Sequence, residues 1–346
     1  MRLFTSLFFC IFPFLIHSYE VLTISDAIVD YILFVDDAYV DEVPGQRGGS
    51  CLVDEATFTE IVEKSGALPY RSPGGSAVNM IKGLQMLGHS TGLMTTVGYD
   101  ADGNLIMKEL KEKGIELMTE TSWTPTGKSA CLVTPNGDRT MRTYLGASTE
   151  NGSLTLYEGA FANISHFHLE GYQLFHRDLV KKSIELARKA GATISIDLSS
   201  FEIVRMNHDF IWELLQEGAI DLLFCNQEEA KMMTSLGPKE ASKVLSKFCQ
   251  IAIVTMGDQG CWTTSGNFQC QCDAYCVEVV DTIGAGDLFI SGFLHGYLNA
   301  EPLTTCTRWA TLLASHAVRA IGAEIPDYQW NVIHREIDVP VFLLGE

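Results

Sequence analysis

The chain has 346 residues, 47% of them hydrophobic, enough to fill one large domain or one domain with a small appendage, and this excludes disorder as its class. Its 24 basic residues stand against 43 acidic ones, a formal charge of −19 with no basic block, which excludes a nucleic-acid partner that would need clustered Lys and Arg. Any phosphate ligand must be held by backbone dipoles, a metal ion or a few placed cations.

Residues 1–19, "MRLFTSLFFCIFPFLIHSY", form an apolar leader behind Arg2, broken by Thr5, Ser6 and Pro13. It reads either as a signal peptide or as a mis-assigned start carried as an extension, and it is too short and interrupted for a membrane span. The first core strand is expected directly after it, at about Glu20. The expected location is cytoplasmic, with export left open by the leader, and no stable membrane partner is expected.

From Val21 onward, short apolar or β-branched runs alternate with helical patterns. "VLTISDAIVD" reads as the first strand, followed by a helix in "SAVNMIKGLQMLG", a strand in "STGLMTTVG" and a helix in "DADGNLIMKELKEKG". Beyond residue 160 the alternation resumes through "ISHFHLEG", "RDLVKKSIELARKAG", "ATISIDLS", "IDLLFCN", "QEEAKMMTSLG" and "IAIVTMG". This order argues for an α/β fold in three layers, a mostly parallel sheet with helices on both faces. Ligands of such sheets collect at the carboxyl ends of the strands. One segment breaks the rhythm: "GKSACLVTPNGDRTMRTYLG" reads as two antiparallel strands joined at Pro135-Asn136-Gly137-Asp138. With "YILFVDDAYV", which also reads as extended, it predicts a small β lid built from strands around 31–53 and 128–146. The domain is expected over 20–335, with 336–346 as a tail.

Three features resemble sites without meeting their requirements. "TGKSA" at Thr126–Ala130 ends like a phosphate-binding loop, but Ser122 stands where that loop needs glycine and a strand follows where it needs a helix. His166 and His168 share a strand face with no third ligand nearby in sequence. The ten cysteines are spread over a long chain and read as reduced, and the cluster Cys261, Cys270, Cys272 and Cys276 lacks a paired C-x-x-C.

The chemistry concentrates in three stretches. "DTIGAGDLFISGF", Asp281 to Phe293, places the small-residue turn Gly284, Ala285 and Gly286 before an apolar helix, whose N-terminal N–H groups and dipole suit an anion. Asp287 follows at once, and an ionised acid beside an anion hole is what phosphoryl transfer to a hydroxyl requires. It reads as the general base, against the plainer reading of a helix cap. "PGGSAVNMIKGLQMLG" offers Gly74 and Gly75 for close backbone approach, Ser76 as a cap and Asn79 one turn into the helix, either as a tight turn or as a hydroxyl-binding site. Asp30, placed at the end of the first strand, reads as turn former or hydroxyl acceptor. "NQEEA" sets Asn226 and Glu229 three apart after an apolar strand, either as a helix start or as a water-mediated perch for Mg²⁺ and phosphate.

Together these stretches resemble the ribokinase-like (PfkB) family of carbohydrate and nucleoside kinases. "DTIGAGDLFISGF" resembles its carboxyl-terminal signature, "GGSAVNMIKGLQMLG" its amino-terminal one and "NQEEA" its Asn-x-x-Glu motif, in the family's order and over roughly residues 20–335. The resemblance implies ATP and Mg²⁺, with Asp287 as base and Gly284, Ala285 and Gly286 as the anion hole. It implies Asn226 and Glu229 serving Mg²⁺ and phosphates, Thr255 and Gly257 bordering the nucleotide, and Asp30, Gly75, Asn79 and Glu170 holding the acceptor. In many members a monovalent cation, usually K⁺, lies beside the anion hole, and Asp281 with the backbone near Ile283 and Gly322 match its position. "VLTISDAIVD", "HLEGYQLF" and "DRTMRTYLGAS" look like a bacterial adenosine-kinase or sugar-kinase branch, although "TISDA" lacks a glycine that many members carry. The expected activity is ATP-dependent phosphorylation of a nucleoside, adenosine on its 5′-hydroxyl first, under a lid carrying Met141, Tyr144 and Leu145. Ribose or another sugar is the alternative acceptor. Sugar phosphates are disfavoured, since only Arg139 and Arg142 are candidate cations, and a non-catalytic binding protein on the same fold is the reading of another class. The expected assembly is a monomer or homodimer.

Overall fold

The computed structural model describes residues 19–135 and 138–338. The expected leader therefore lies outside the described residues except for Tyr19, as do Asn136 and Gly137 of the hairpin turn and most of the expected tail. Tyr19 belongs to the fold: it is buried in the main core, its hydroxyl donates to the Ala160 carbonyl, and Gly92 leaves room for its ring.

Strand β1 (Val21–Ile24) enters the main sheet, and the chain then leaves it. Strand β2 (Ile28–Phe34), helix α1 (Asp37–Glu42), strand β3 (Ser50–Leu52), helix α2 (Glu55–Lys64) and strand β4 (Tyr70–Gly74) belong to the lid. Helix α3 (Ser76–Met86), strand β5 (Thr91–Gly98), helix α4 (Ala101–Glu112) and strand β6 (Glu116–Ser122) return to the core, and the hairpin β7 (Gly127–Val133) and β8 (Arg139–Tyr144) completes the lid. The second half runs through β9 (His166–Glu170), α5 (Arg177–Lys189), β10 (Thr193–Asp197), α6 (Phe201–Gln216), β11 (Leu222–Asn226), α7 (Gln227–Thr234), α8 (Pro238–Leu245) and β12 (Ile251–Thr255). Strands β13 (Cys261–Ser265) and β14 (Phe268–Cys272) precede helices α9 (Ala285–Leu298), α10 (Leu303–Ala317) and α11 (Asp327–Asp338).

Among the described residues the main sheet has the order β14-β13-β12-β11-β10-β9-β1-β5-β6, parallel from β12 to β6 and antiparallel across β12, β13 and β14. Successive side chains of a strand point to opposite faces. Leu223 and Cys225 therefore join the core under α5 and α6, while Leu222 and Phe224 join the one under α3, α4 and α9. That division is the three-layer architecture expected from the β/α alternation. No helix of the described residues is long and apolar enough to cross a membrane.

The lid sheet runs β3-β8-β7-β2-β4. Its outer face, with Leu33, Ala130 and Leu132, packs on Val40, Phe58 and Ile61 of α1 and α2. Its inner face carries Ile32, Cys131, Val133 and Met141 toward Ile283. Three expectations change here. "VLTISDAIVD" is two strands in two sheets, broken at Ser25–Ala27, so Asp30 lies inside lid strand β2 and not at the end of the first core strand. The second half of "YILFVDDAYV" is helical because Asp36 caps α1, accepting from the Tyr39 N–H at 2.8 Å. Tyr144 pairs with Lys128 and packs on the outer face, so of the expected lid aromatics and aliphatics it is Met141 that looks inward.

Candidate active site

Helix α9 begins after Gly284, whose φ of 73° is left-handed and whose Cβ, if present, would stand 2.4 Å from that of Ala323. Only glycine fits both constraints. No side chain caps this helix end; the Ala285 N–H donates to the Thr282 carbonyl at 3.3 Å, which leaves the Gly286 and Asp287 N–H groups to face a ligand. Asp287 is the third helical residue. Its Oδ1 accepts from Ser76 Oγ at 2.8 Å and its Oδ2 from Asn79 Nδ2 at 3.0 Å. Ser76 is thus the first residue of α3, spent on the acid of α9, and not the cap; the cap position is Gly75, at φ 115°. The two helices approach closely because a Cβ on Gly83 would meet Ser291 Oγ at 2.5 Å, and Ser291 donates to the Met80 carbonyl at 2.8 Å. Burial lifts the Asp287 pKa to about 6, opposed by the Asn79 and Ser76 hydrogen bonds and aided by the charge of Glu170. A carboxylate poised there is mostly ionised at neutral pH and near the strength best suited to a general base.

Facing Asp287 is an acid-rich recess. Asp30 reaches over Gly74, where a Cβ would lie 2.2 Å from its Oδ2, and its carboxylate makes no hydrogen bond among the described residues. Burial raises its pKa to about 7, Lys82 pulling it down and Asp287 and Asp281 pushing it up. A Cβ on Gly75 would lie 2.2 Å from the Asp26 carbonyl oxygen. Asp26 Oδ1 accepts from Gln173 Nε2 at 2.7 Å and Asn151 Nδ2 at 3.0 Å, and burial beside the charge of Glu170 lifts its pKa to about 7. Asn79 Oδ1 and Gln173 Oε1 are buried without a partner among the described residues, a cost that a ligand donor would relieve.

Glu170, expected to hold acceptor hydroxyls, is 1% exposed and saturated. It accepts from the Asp26 N–H at 2.7 Å, Gln173 Nε2 at 3.0 Å, Ser25 Oγ at 2.8 Å and the Ala77 N–H at 2.9 Å. These contacts make it a clamp between β1, β9 and α3, and Asp26 is the acid turned to the recess. The strand-end rule signals Asp26, which follows β1, and also Asp197 at the end of β10; no local pattern marks Asn151 or Gln173.

On the nucleotide side, Asn226 and Glu229 form a capping box at α7. Asn226 Oδ1 accepts from the Glu228 and Glu229 N–H groups, and Glu229 accepts from Asn226 N at 2.8 Å and Asn226 Nδ2 at 2.6 Å. The helix-start reading of "NQEEA" is thus realised in full. Thr255 pairs with Asn226 at the carboxyl edge of the sheet, and Gly257, at φ 60°, turns the exposed loop beyond it. Burial raises the Glu229 pKa to about 7, and burial with the charges of Glu229 and Asp287 raises that of Asp197. Crowded carboxylates of this kind are relieved by a cation. No three acids, histidines or cysteines among the described residues form a metal cage; the crowded pair Asp197 and Glu229 offers carboxylates suited to a cation reached through water.

Asp281 is less hospitable to K⁺. It is buried and accepts from Ile283 N at 2.9 Å and Gly322 N at 2.5 Å, while the Arg139 guanidinium pairs with it at 2.7 Å. Both oxygens are engaged and the charge is met from within the chain, so the residues present do not fit a monovalent cation at this carboxylate. Arg142 is fully buried and donates to the carbonyls of Pro44, Gln46, Gly49 and Met141. It organises the lid and cannot serve an acceptor phosphate. His166 and His168 both bond Ser195 Oγ at 2.7 Å deep in the sheet, and burial pushes their pKa values down to about 3.

Comparison with known proteins agrees with this geometry. A family model described as pfkB family carbohydrate kinase matches residues 49–330. The crystal structure of adenosine kinase from Sinorhizobium meliloti is 29% identical, with a TM-score of 0.84 and coverage of 92% of this chain and 99% of that one. A probable sugar kinase from Rhizobium etli CFN 42 is 28% identical, with a TM-score of 0.85 and coverage of 92% and 98%. The ATP-dependent ribose-1-phosphate kinase of Halopiger xanaduensis is 29% identical over 73% of this chain and 82% of its own length. The chain belongs to the pfkB family of carbohydrate kinases, with a ribokinase-like fold, and is a phosphotransferase acting on a hydroxyl of a sugar or nucleoside.

Proposed function

We propose that this enzyme transfers the γ-phosphoryl group of ATP to the 5′-hydroxyl of a nucleoside, adenosine first. The observation that carries the reading is Asp287, held by Ser76 and Asn79 at the uncapped N-terminus of α9. Its carboxylate takes the acceptor's proton as the oxygen attacks, while the first-turn N–H groups hold the charge on the transferring phosphoryl group. Asp26, Asp30 and Asn79 receive the ribose hydroxyls. Asp197 and Glu229 would hold the waters of an Mg²⁺ brought in with ATP, which would supply neutralisation of the phosphate charge. No step uses K⁺.

Two features support a neutral acceptor with an apolar part. The recess presents Asp26 and Asp30, which disfavour an acceptor phosphate, and Arg142 is spent on lid carbonyls; Arg139 pairs with Asp281 through Nη2 alone, its Nε and Nη1 having no partner among the described residues. The inner lid face of Ile32, Cys131, Val133 and Met141 is apolar enough to cover a base. The similarity to the S. meliloti adenosine kinase points the same way. Ribose or another sugar is the second reading, favoured by the equally good superposition on the R. etli probable sugar kinase. ADP release from the purified chain, screened against nucleosides, pentoses, hexoses and hexose phosphates, tests the ranking. Turnover of ribose or a hexose with none for any nucleoside reverses it, and binding of adenosine without any turnover would return the chain to a non-catalytic role.

A further inference from the structure

Helix α3 supplies more to the site than Ser76 and Asn79. Three residues beyond Asn79 comes Lys82, which lies on the same side of the helix and is only 7% exposed. A buried ammonium is costly unless its three donors are used. One donates to the Pro73 carbonyl at 3.0 Å. That carbonyl belongs to lid strand β4, immediately before the Gly74-Gly75 turn on which Asp30 and the Asp26 backbone rest. Lys82 therefore joins the core to the lid at the point where the acceptor recess is shaped.

Its other side faces a second element of the reaction centre. Lys82 and Glu324 both line one cavity of about 20 Å³, together with Asn79, Ala323 and the Lys113 that pairs with Glu324, a space of about the size of one water. Glu324 accepts from Lys113 Nζ at 2.6 Å, and against the effect of burial the charges of Lys82 and Lys113 hold its pKa down. Its neighbour Ala323 packs against Gly284, and Gly322 donates to Asp281, so the 322–324 segment forms the back wall of the anion hole. Burial pushes the Lys82 pKa down while Glu324 and Asp30 pull it back up.

We propose that Lys82 is a positioning residue that couples the acceptor turn to the anion hole, holding Pro73 on one side and, across the water-sized cavity, Glu324 on the other. Acceptor binding and anion-hole geometry then depend on one buried charge that touches neither substrate. The inference rests on the phosphotransfer reading above.

The test uses the full chain as wild type, Lys82→Met, Lys82→Arg, Glu324→Gln and the double variant Lys82→Met/Glu324→Gln. Steady-state kcat and KM are read with adenosine and ATP, nucleotide affinity by calorimetry with a non-hydrolysable ATP analogue, and integrity by Tm. Lys82→Met is expected to raise the adenosine KM and lower kcat by about tenfold each, the loss of a buried hydrogen-bonded charge, while analogue affinity stays within about twofold. Lys82→Arg should recover most of this, and the double variant should be no worse than Lys82→Met alone. A folded Lys82→Met with wild-type constants overturns the proposal, and so does a uniform loss of both affinities that tracks a lowered Tm. Should Lys82→Met not fold, Glu324→Gln must still raise the acceptor KM selectively; an unchanged KM there is equally contrary. Wild-type turnover of another acceptor corrects the substrate alone, and the same constants are then read with that acceptor. Absence of turnover with every acceptor refutes the phosphotransfer reading and this inference with it.

Discussion

Replacing Asp287 by Asn removes the carboxylate while keeping its shape. Ser76 Oγ can still donate to the remaining oxygen, as it does at 2.8 Å to Oδ1. The new amide would meet Asn79 Nδ2 donor to donor, but Asn79 has a buried Oδ1 without a partner and need only flip to restore the contact. The stability cost should therefore stay within about 1 kcal/mol. Above its pKa of about 6 the native carboxylate is buried and charged at an energetic cost that the amide escapes, so the variant's Tm at pH 8 should match or exceed the wild type's. Catalysis is different, because an amide cannot take the acceptor's proton. The expected fall in kcat is roughly 10² to 10⁴, about 3 to 5 kcal/mol of barrier. ADP release in a coupled assay gives kcat, and calorimetry with a non-hydrolysable ATP analogue should show affinity unchanged or slightly higher. In the wild type, kcat/KM should fall as pH drops through about 6, where the base becomes protonated. Near-normal kcat in the variant, or loss of the fold, refutes the assignment of Asp287 as base.

Stability should also depend on pH through the other crowded acids. Asp26, Asp30 and Glu229 have native pKa values raised to about 7, so the native state binds more protons than the unfolded chain and stability falls as pH rises through 7. His166 and His168, depressed to about 3, act oppositely but only below about 6.5. Tm should thus be lower at pH 8 than at pH 6.5 without ligand, and a flat or rising profile over that window contradicts the crowding. Deleting residues 1–18 should leave Tm and activity nearly unchanged, whereas extending the deletion or mutation to Tyr19→Ala should cost about 3 to 5 kcal/mol, since that side chain is buried in the core. Rates in K⁺ and in tetramethylammonium should agree, because Arg139 already pairs with Asp281; strong K⁺ activation would show that the pair opens to admit the ion.

What the chain reveals locally was readable, and what depends on distant pairing was not. The β/α alternation, the 127–144 hairpin and the glycine turn before Asp287 are short-range patterns, and each appears as expected. The break at Ser25–Ala27 falls on weak strand formers inside Val21–Asp30, but only the partners of the two halves decide that they belong to different sheets. Asp36 hid a helix start inside a β-branched run. Ser76 and Asp287 are 211 positions apart, so local reasoning made Ser76 a cap where tertiary contact made it a partner of the base. Glu170 is expected in the site only through the family resemblance, and its saturation depends on Ser25, Asp26 and Ala77, which lie far from it in the chain, together with Gln173. Asn226 and Glu229 satisfied two readings at one spacing, and a capping box cannot be told from a metal perch without the ligand.

The central claim is the transfer of a phosphoryl group from ATP to a nucleoside hydroxyl. Its most direct test is ³¹P NMR of the reaction of the purified full chain with Mg²⁺-ATP and adenosine, followed by repeats with ribose and with a hexose. The account predicts ADP and adenosine 5′-monophosphate in equal amounts, formed roughly 10² to 10⁴ times more slowly by Asp287→Asn. ADP and free inorganic phosphate without a phosphorylated acceptor, or a phosphorylated sugar where adenosine stays untouched, would contradict it.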